Sequence, residues 1–238
     1  MADNTRWARH LLPILFPLPE EGGSQHLLVT VWFGANDAAA PTEVTHIPLP
    51  EFTDNLRAIL LHLQKVSTTV VVITPPPVHG PTRLAFQRRK YGDGASGTLE
   101  RTTESAGRYA VAARQVAGEL GVPVFDAHQR MLEQPDWPRF VGSDGLGDGL
   151  HLAAAGQRFI GAGLVPWLAS ERVMGISIDP SAAPQQRLLS EVEGLPIDLP
   201  AGAKIRESEA FPRYVSDHLA KHAACRNRSV IAAESEAA

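Results

Sequence analysis

Two short stretches of this sequence combine residue types that can carry acid–base and acyl-transfer chemistry. The first is Asp148-Gly149-Leu150-His151. A loop can fold so that a carboxylate accepts from the Nδ1–H of a histidine three residues later, which fixes the tautomer and leaves Nε2 free as a general base. In that reading Asp148 orients and His151 moves the proton. The alternative is the N-terminal region of a helix, where an aspartate favours the macrodipole and the histidine merely packs. The second stretch is Gly34-Ala35-Asn36-Asp37. A side-chain amide aimed at a developing oxyanion contributes on the order of 3 kcal/mol to transition-state stabilisation, and Asn36 is the candidate donor. The alternative is an ordinary turn, since Gly, Asn and Asp are common turn formers. Asp148 and His151 have no third carboxylate or histidine nearby, so they do not read as a metal site.

The elements around these stretches decide whether they can meet. Leu27–Phe33, Thr69–Thr74 and Val122–Phe125 are apolar runs rich in β-branched and aromatic residues without polar alternation, the pattern of parallel strands covered on both faces. Asn4 to Leu15 reads as one helix. Leu56, Ile59, Leu60 and Leu63 recur at helical spacing, and the Ala-rich stretch from Leu99 to Leu120 breaks at Gly121. Strand-helix alternation of this kind implies right-handed βαβ crossovers. Asn36 then follows directly on a strand, at the carboxyl edge where open α/β sheets bind ligands. Asp144 to His151 is a glycine-rich loop, and Ala153 to Arg172 a helix with Phe159, Ile160, Leu164 and Trp167 inward. The expected organisation is one domain over residues 1–174. Residues 175–238, rich in Pro, Ser, Ala and Gln, read as a mostly extended tail.

Composition excludes several classes. A formal charge of −4 over 238 residues, without a block of like charges, argues against nucleic-acid or anionic-membrane partners. The single Cys225 cannot form an intrachain disulfide. Leu11 to Leu18 is interrupted by Pro13 and Pro17 and lacks a cleavage site, so it does not read as a signal sequence. No run reaches the roughly 18 apolar residues of a membrane span. A soluble cytoplasmic protein is expected. Arg83 to Lys90, locally basic, reads as a solvated loop face, and Pro75-Pro76-Pro77 as the rigid start of an active-site loop.

Asn4–Trp7 (NTRW), Val31–Ala38 (VWFGANDA), Ile73–Val78 (ITPPPV) and Asp148–Ile160 (DGLHLAAAGQRFI) together resemble the SGNH (GDSL-like) hydrolase superfamily, closest to its isoamyl acetate-hydrolysing esterase branch. They occur in the family's order over roughly residues 4–170. The resemblance implies a flavodoxin-like three-layer α/β/α sandwich with a parallel sheet. It also implies hydrolysis of short-chain carboxylic esters by a serine that His151 and Asp148 activate, with no metal or organic cofactor. Asn36 would supply the oxyanion-hole side chain, and Gly34 would permit close backbone approach of the substrate.

One departure stands against this pattern. In the family, the Gly-Asp-Ser block on the first strand and a second-block glycine lie upstream of the NTRW-like segment, where this chain has only Met1-Ala2-Asp3. The expectation is an N-terminally truncated fold with the first two strands missing and no nucleophile. Ser96, Ser105 and Ser143 follow no buried strand and do not replace it. Either a fragment of an active esterase is at hand, or a non-catalytic homologue that works as a binding or assembly module; the intact dyad and Asn36 favour the former. In either case Leu27–Phe33 becomes an open apolar edge, which invites self-association.

Overall fold

The computed structural model describes residues 4–145, 147–170 and 173–174, all within one compact unit of residues 2–181. The segment expected to be a tail, residues 175–238, lies outside the described residues. Described elements run α1 (Thr5–Leu15), β1 (His26–Val31), α2 (Leu49–Val66), β2 (Ser67–Ile73), α3 (Gly80–Tyr91), α4 (Thr103–Glu119), β3 (Val124–Phe125), α5 (Ala127–Leu132) and α6 (Ala154–Ala169).

The three described strands form a parallel sheet in the order β1-β2-β3, as in the last three strands of a flavodoxin-like arrangement. Val29 pairs with Val70 and Val31 with Val72, and Val72 pairs in turn with Val124. Because side chains alternate across a strand, β2 feeds two cores at once. Val70 and Val72 join Val29, Val31 and the inner faces of α1, α2 and α4, including Phe52, Leu56, Leu60, Tyr109 and Val116. Ile73 turns the other way and packs with Phe125, Met131, Phe140 and Ile160, around α5 and α6. This two-sided burial makes the three-layer sandwich and explains why β2 lacks polar alternation; β1, read from sequence as covered on both faces, is buried only at Val29 and Val31, with Leu27 and Thr30 exposed.

The helices start where their residues allow. Asn4 caps α1, its side chain accepting from the Trp7 N–H, and Thr102 caps α4 by accepting from the Ser105 N–H. Two further readings of the sequence are corrected. The strands lie up to two residues from the apolar runs that announced them. More consequentially, Arg83 to Lys90 is not a solvated loop face: it lies within α3, and Arg83 is buried with 9% of its surface exposed. The run was misread because its buried member is itself charged, so no apolar periodicity marks the helix. Among the described residues, no helix is long and apolar enough to cross a membrane.

Candidate active site

The carboxyl ends of β1 and β2 lie side by side, and the turn after β1 is wedged between them. Gly34 adopts φ +109°, and a Cβ there would come within 3.0 Å of Pro75 Cγ, so the glycine is required both by conformation and by the close approach of Pro75-Pro76-Pro77. The Trp32 indole N–H donates to the Thr74 carbonyl at 3.0 Å, tying the same two segments. Asp37, completely buried, is the peg of the turn. It accepts from the Thr5 N–H at 2.9 Å, the Thr5 hydroxyl at 2.5 Å and the Gly34 N–H at 3.2 Å. Burial pushes its pKa up, and these donors only partly offset that. The NTRW segment thus supports the turn: Thr5 holds Asp37, while the Asn4 amide donates to the Thr45 carbonyl at 3.1 Å.

Asp148 and His151 are brought into direct contact. Asp148 Oδ1 accepts from the backbone N–H groups of Leu150 and His151 at 3.0 and 2.8 Å, a tight turn ahead of α6 rather than part of it. Its Oδ2 lies 2.7 Å from His151 Nδ1. Burial favours the neutral acid, but hydrogen bonds from the His151 and Leu150 N–H groups and from the His151 ring outweigh it, so the Asp148 pKa is lowered. An ionised carboxylate can only accept, so the proton between the two residues sits on Nδ1 and Nε2 is the open basic position. The His151 side chain is 81% exposed and Asp148 only 14%: the imidazole faces solvent while the carboxylate is sunk in the protein.

The loop that makes this possible is docked on α3. Gly149 has φ +77°, and a Cβ on it would come within 2.6 Å of the Arg83 nitrogen and 2.7 Å of the His79 oxygen. The His79 N–H donates to the Gly149 carbonyl at 2.8 Å.

A chain of charged side chains joins Asn36 to Asp148 and His151. Arg83 donates to Asp148 Oδ2 at 3.1 Å from Nη1 and to Glu100 Oε1 at 2.6 Å from Nε. Arg101 lies 3.5 Å from Glu100 and donates from Nη2 to Asn36 Oδ1 at 3.1 Å. Sequence reading missed Arg83, Glu100, Arg101 and Asp37. Only the adjacency of Asp37 to Asn36 could have pointed to one of them. None of the three serines weighed as nucleophiles is hydrogen-bonded to His151: Ser105 sits in α4 and donates to the Ala38 carbonyl, Ser96 contacts Thr98, and Ser143 lies in an exposed turn. Among the described residues, no group of three or more His, Cys, Asp or Glu side chains is placed to hold a metal ion.

The model of the GDSL-like Lipase/Acylhydrolase family matches residues 3–159. The chain belongs to that family. Similar GDSL relatives include a GDSL esterase/lipase of Arabidopsis thaliana, 40% identical over 163 residues, which cover 66% of this chain and 65% of the relative. The human isoamyl acetate-hydrolyzing esterase 1 homolog is 35% identical over 170 residues, 68% of this chain and 63% of that protein. The chain thus spans less than two thirds of the length of these relatives. Its fold is that of the lipase/acylhydrolase from Enterococcus faecalis, with a TM-score of 0.53 at 23% identity, covering 74% of this chain and 75% of that one. It also matches a catalytic mutant of an acetylxylan esterase from Geobacillus stearothermophilus, with a TM-score of 0.52 at 13% identity over 75% and 72% of the two chains.

Proposed function

We propose that this GDSL-family domain provides the base, its orienter and one oxyanion donor of a short-chain carboxylic ester hydrolase working on acetate-type esters in the cytoplasm. The observation that carries the reading is the 2.7 Å contact between His151 Nδ1 and a buried Asp148 carboxylate, with the far side of the ring open to solvent. The names of the isoamyl acetate-hydrolyzing relatives support the substrate class. In the reaction, His151 Nε2 takes the proton of a serine hydroxyl as its oxygen attacks the ester carbonyl, and returns it to the departing alcohol. Water then repeats the cycle on the acyl-enzyme. Asp148 holds the imidazole and stabilises the imidazolium. Asn36 Nδ2 faces the carbonyl oxygen as it becomes an anion, and Gly34 lets the substrate approach the backbone closely. No cofactor is required.

None of Ser96, Ser105 and Ser143 is bonded to His151, so we assign the nucleophile to none of them. The test is hydrolysis of p-nitrophenyl acetate. The 238-residue chain should show little turnover, whereas the chain extended upstream by a segment with two strands and Gly-Asp-Ser should hydrolyse the ester and lose that activity with His151→Ala. Turnover by the 238-residue chain itself, with a fluorophosphonate adduct on one of those three serines, would overturn the assignment.

A second reading, a binding or assembly module without catalysis, draws on a separate observation. Among the described residues β1 pairs on one side only, and its Leu27 side chain is 68% exposed, as a self-associating edge would have it.

A further inference from the structure

Arg83, Glu100 and Arg101 come from the first turns of α3 and from the loop before α4, yet they meet in one cluster. Their side chains are only 11%, 14% and 12% exposed. Glu100 is the hub. Its Oε1 accepts from Arg83 Nε at 2.6 Å and from Arg83 Nη2, its Oε2 accepts from the Gln87 amide, and Arg101 Nη1 lies 3.5 Å away. From this hub the two guanidiniums point in different directions. Arg83 Nη1 reaches Asp148 Oδ2, the same oxygen that receives His151 Nδ1. Arg101 Nη2 reaches Asn36 Oδ1 at 3.1 Å and Thr45 Oγ1 at 3.3 Å.

The cluster is a poor device for stability alone. Buried ion pairs recover little beyond the cost of desolvating them, and apolar residues of similar volume often do as well. Here the cost is raised further, because Gln87 Oε1 and Arg101 Nε are buried without a hydrogen-bond partner. What such a cluster does supply is direction. A guanidinium has donors only, in a rigid planar fork. Arg101 therefore admits one sense of the Asn36 amide, with Oδ1 toward the cluster and the NH2 turned away from it. Arg83 likewise pins the carboxylate oxygen against which the His151 ring must align.

We propose that Arg83, Glu100 and Arg101 are a relay of positioning residues that fixes the Asp148 carboxylate and the Asn36 amide relative to each other. The proposal rests on the functional reading of Asp148, His151 and Asn36. It makes Glu100, hydrogen-bonded to Arg83 and 3.5 Å from Arg101, the residue on which both depend.

The test is 15N NMR of the full 238-residue chain at pH 8. Its two reporters are the His151 ring nitrogens, assigned by their loss in His151→Gln, and the Asn36 side-chain NH2, assigned by its loss in Asn36→Ala. Glu100→Gln should move both: the two ring nitrogens draw together as the fixed tautomer is lost, and the Asn36 NH2 pair shifts and broadens. Arg101→Lys should move the Asn36 pair alone, and Arg83→Lys the His151 ring. A core substitution such as Ile59→Val should move neither. A folded Glu100→Gln chain with both reporters in place overturns the relay. If that variant does not fold, unmoved reporters in the two lysine variants overturn it instead. The functional reading fails separately: relay shifts as expected, with ester hydrolysis in the extended chain indifferent to His151→Ala, would sink the reading and leave the relay standing.

Discussion

At the scale of the residue, the two aspartates beside the candidate catalytic groups answer burial in opposite ways, and pH separates them. Asp148 collects four donors and its pKa falls, so its contribution to stability is present above the ordinary carboxyl value and is lost only as pH falls through its lowered folded value. Asp37 is pushed up, so its ionised form weighs on the fold above the raised value and is relieved as pH falls through it toward 3.8. Urea unfolding should therefore show wild type gaining stability relative to Asp37→Asn between pH 7 and pH 4.5, while its advantage over Asp148→Asn persists across that range. The reverse ordering would mean that the donors, not burial, govern Asp37. If a chain extended upstream by a Gly-Asp-Ser segment hydrolyses p-nitrophenyl acetate as proposed, Asp148→Asn should lower its kcat by roughly 10³–10⁴-fold, because an amide can hold the wrong tautomer. Asn36→Ala should lower it by about 10²–10³-fold. Both should leave KM nearly unchanged in steady-state assays.

At the scale of the element, the loop at Gly149 and the edge of β1 carry the sharpest consequences. Gly149→Ala would place a methyl against the α3 backbone at a positive φ. It should cost roughly 2–3 kcal/mol, seen as a melting temperature lower by about 4–12 °C, and it should move Asp148 and His151 together. A variant with unaltered melting and activity would show that the loop docks elsewhere in solution. Leu27→Lys should suppress concentration-dependent association in light scattering with little change in unfolding free energy, since a charge on an edge strand discourages pairing.

The elements also show what sequence could and could not disclose. The Asp148–His151 contact was legible because its members are three residues apart, and β2 because a doubly buried strand writes a continuous apolar run; β1 writes a similar run although only Val29 and Val31 are buried. Arg83 was not, because its partners Glu100 and Asp148 lie 17 and 65 residues away and a buried arginine looks, in sequence, like a solvated one. The six residues of α5 and the five of the 3-10 turn at Trp137–Val141 are too short for a periodicity to register.

At the scale of the whole molecule, the two apolar cores close between Leu12 and Trp167. We therefore propose that residues 1–174 fold on their own. A chain ending at residue 174 should keep the melting temperature of the full chain within a few degrees by calorimetry; insolubility of the shorter chain would give residues 175–238 a part in covering the sheet. The cluster of Arg83, Arg101, Glu100 and Asp148 has a further consequence, for counterions. Its two positive and two negative charges balance among side chains only 11–14% exposed, while pairs such as Arg6–Glu51 and Arg57–Glu119 stand in solvent. Added salt shortens the screening length from about 10 Å at 0.1 M to about 3 Å at 1 M and weakens exposed pairs first. Hydrolysis of an uncharged ester by the extended chain should stay flat across that range, even as the unfolding midpoint drifts. A rate that fell several-fold by 1 M sodium chloride would mean that the ionic atmosphere reaches the groups that aim the His151 ring and the Asn36 amide.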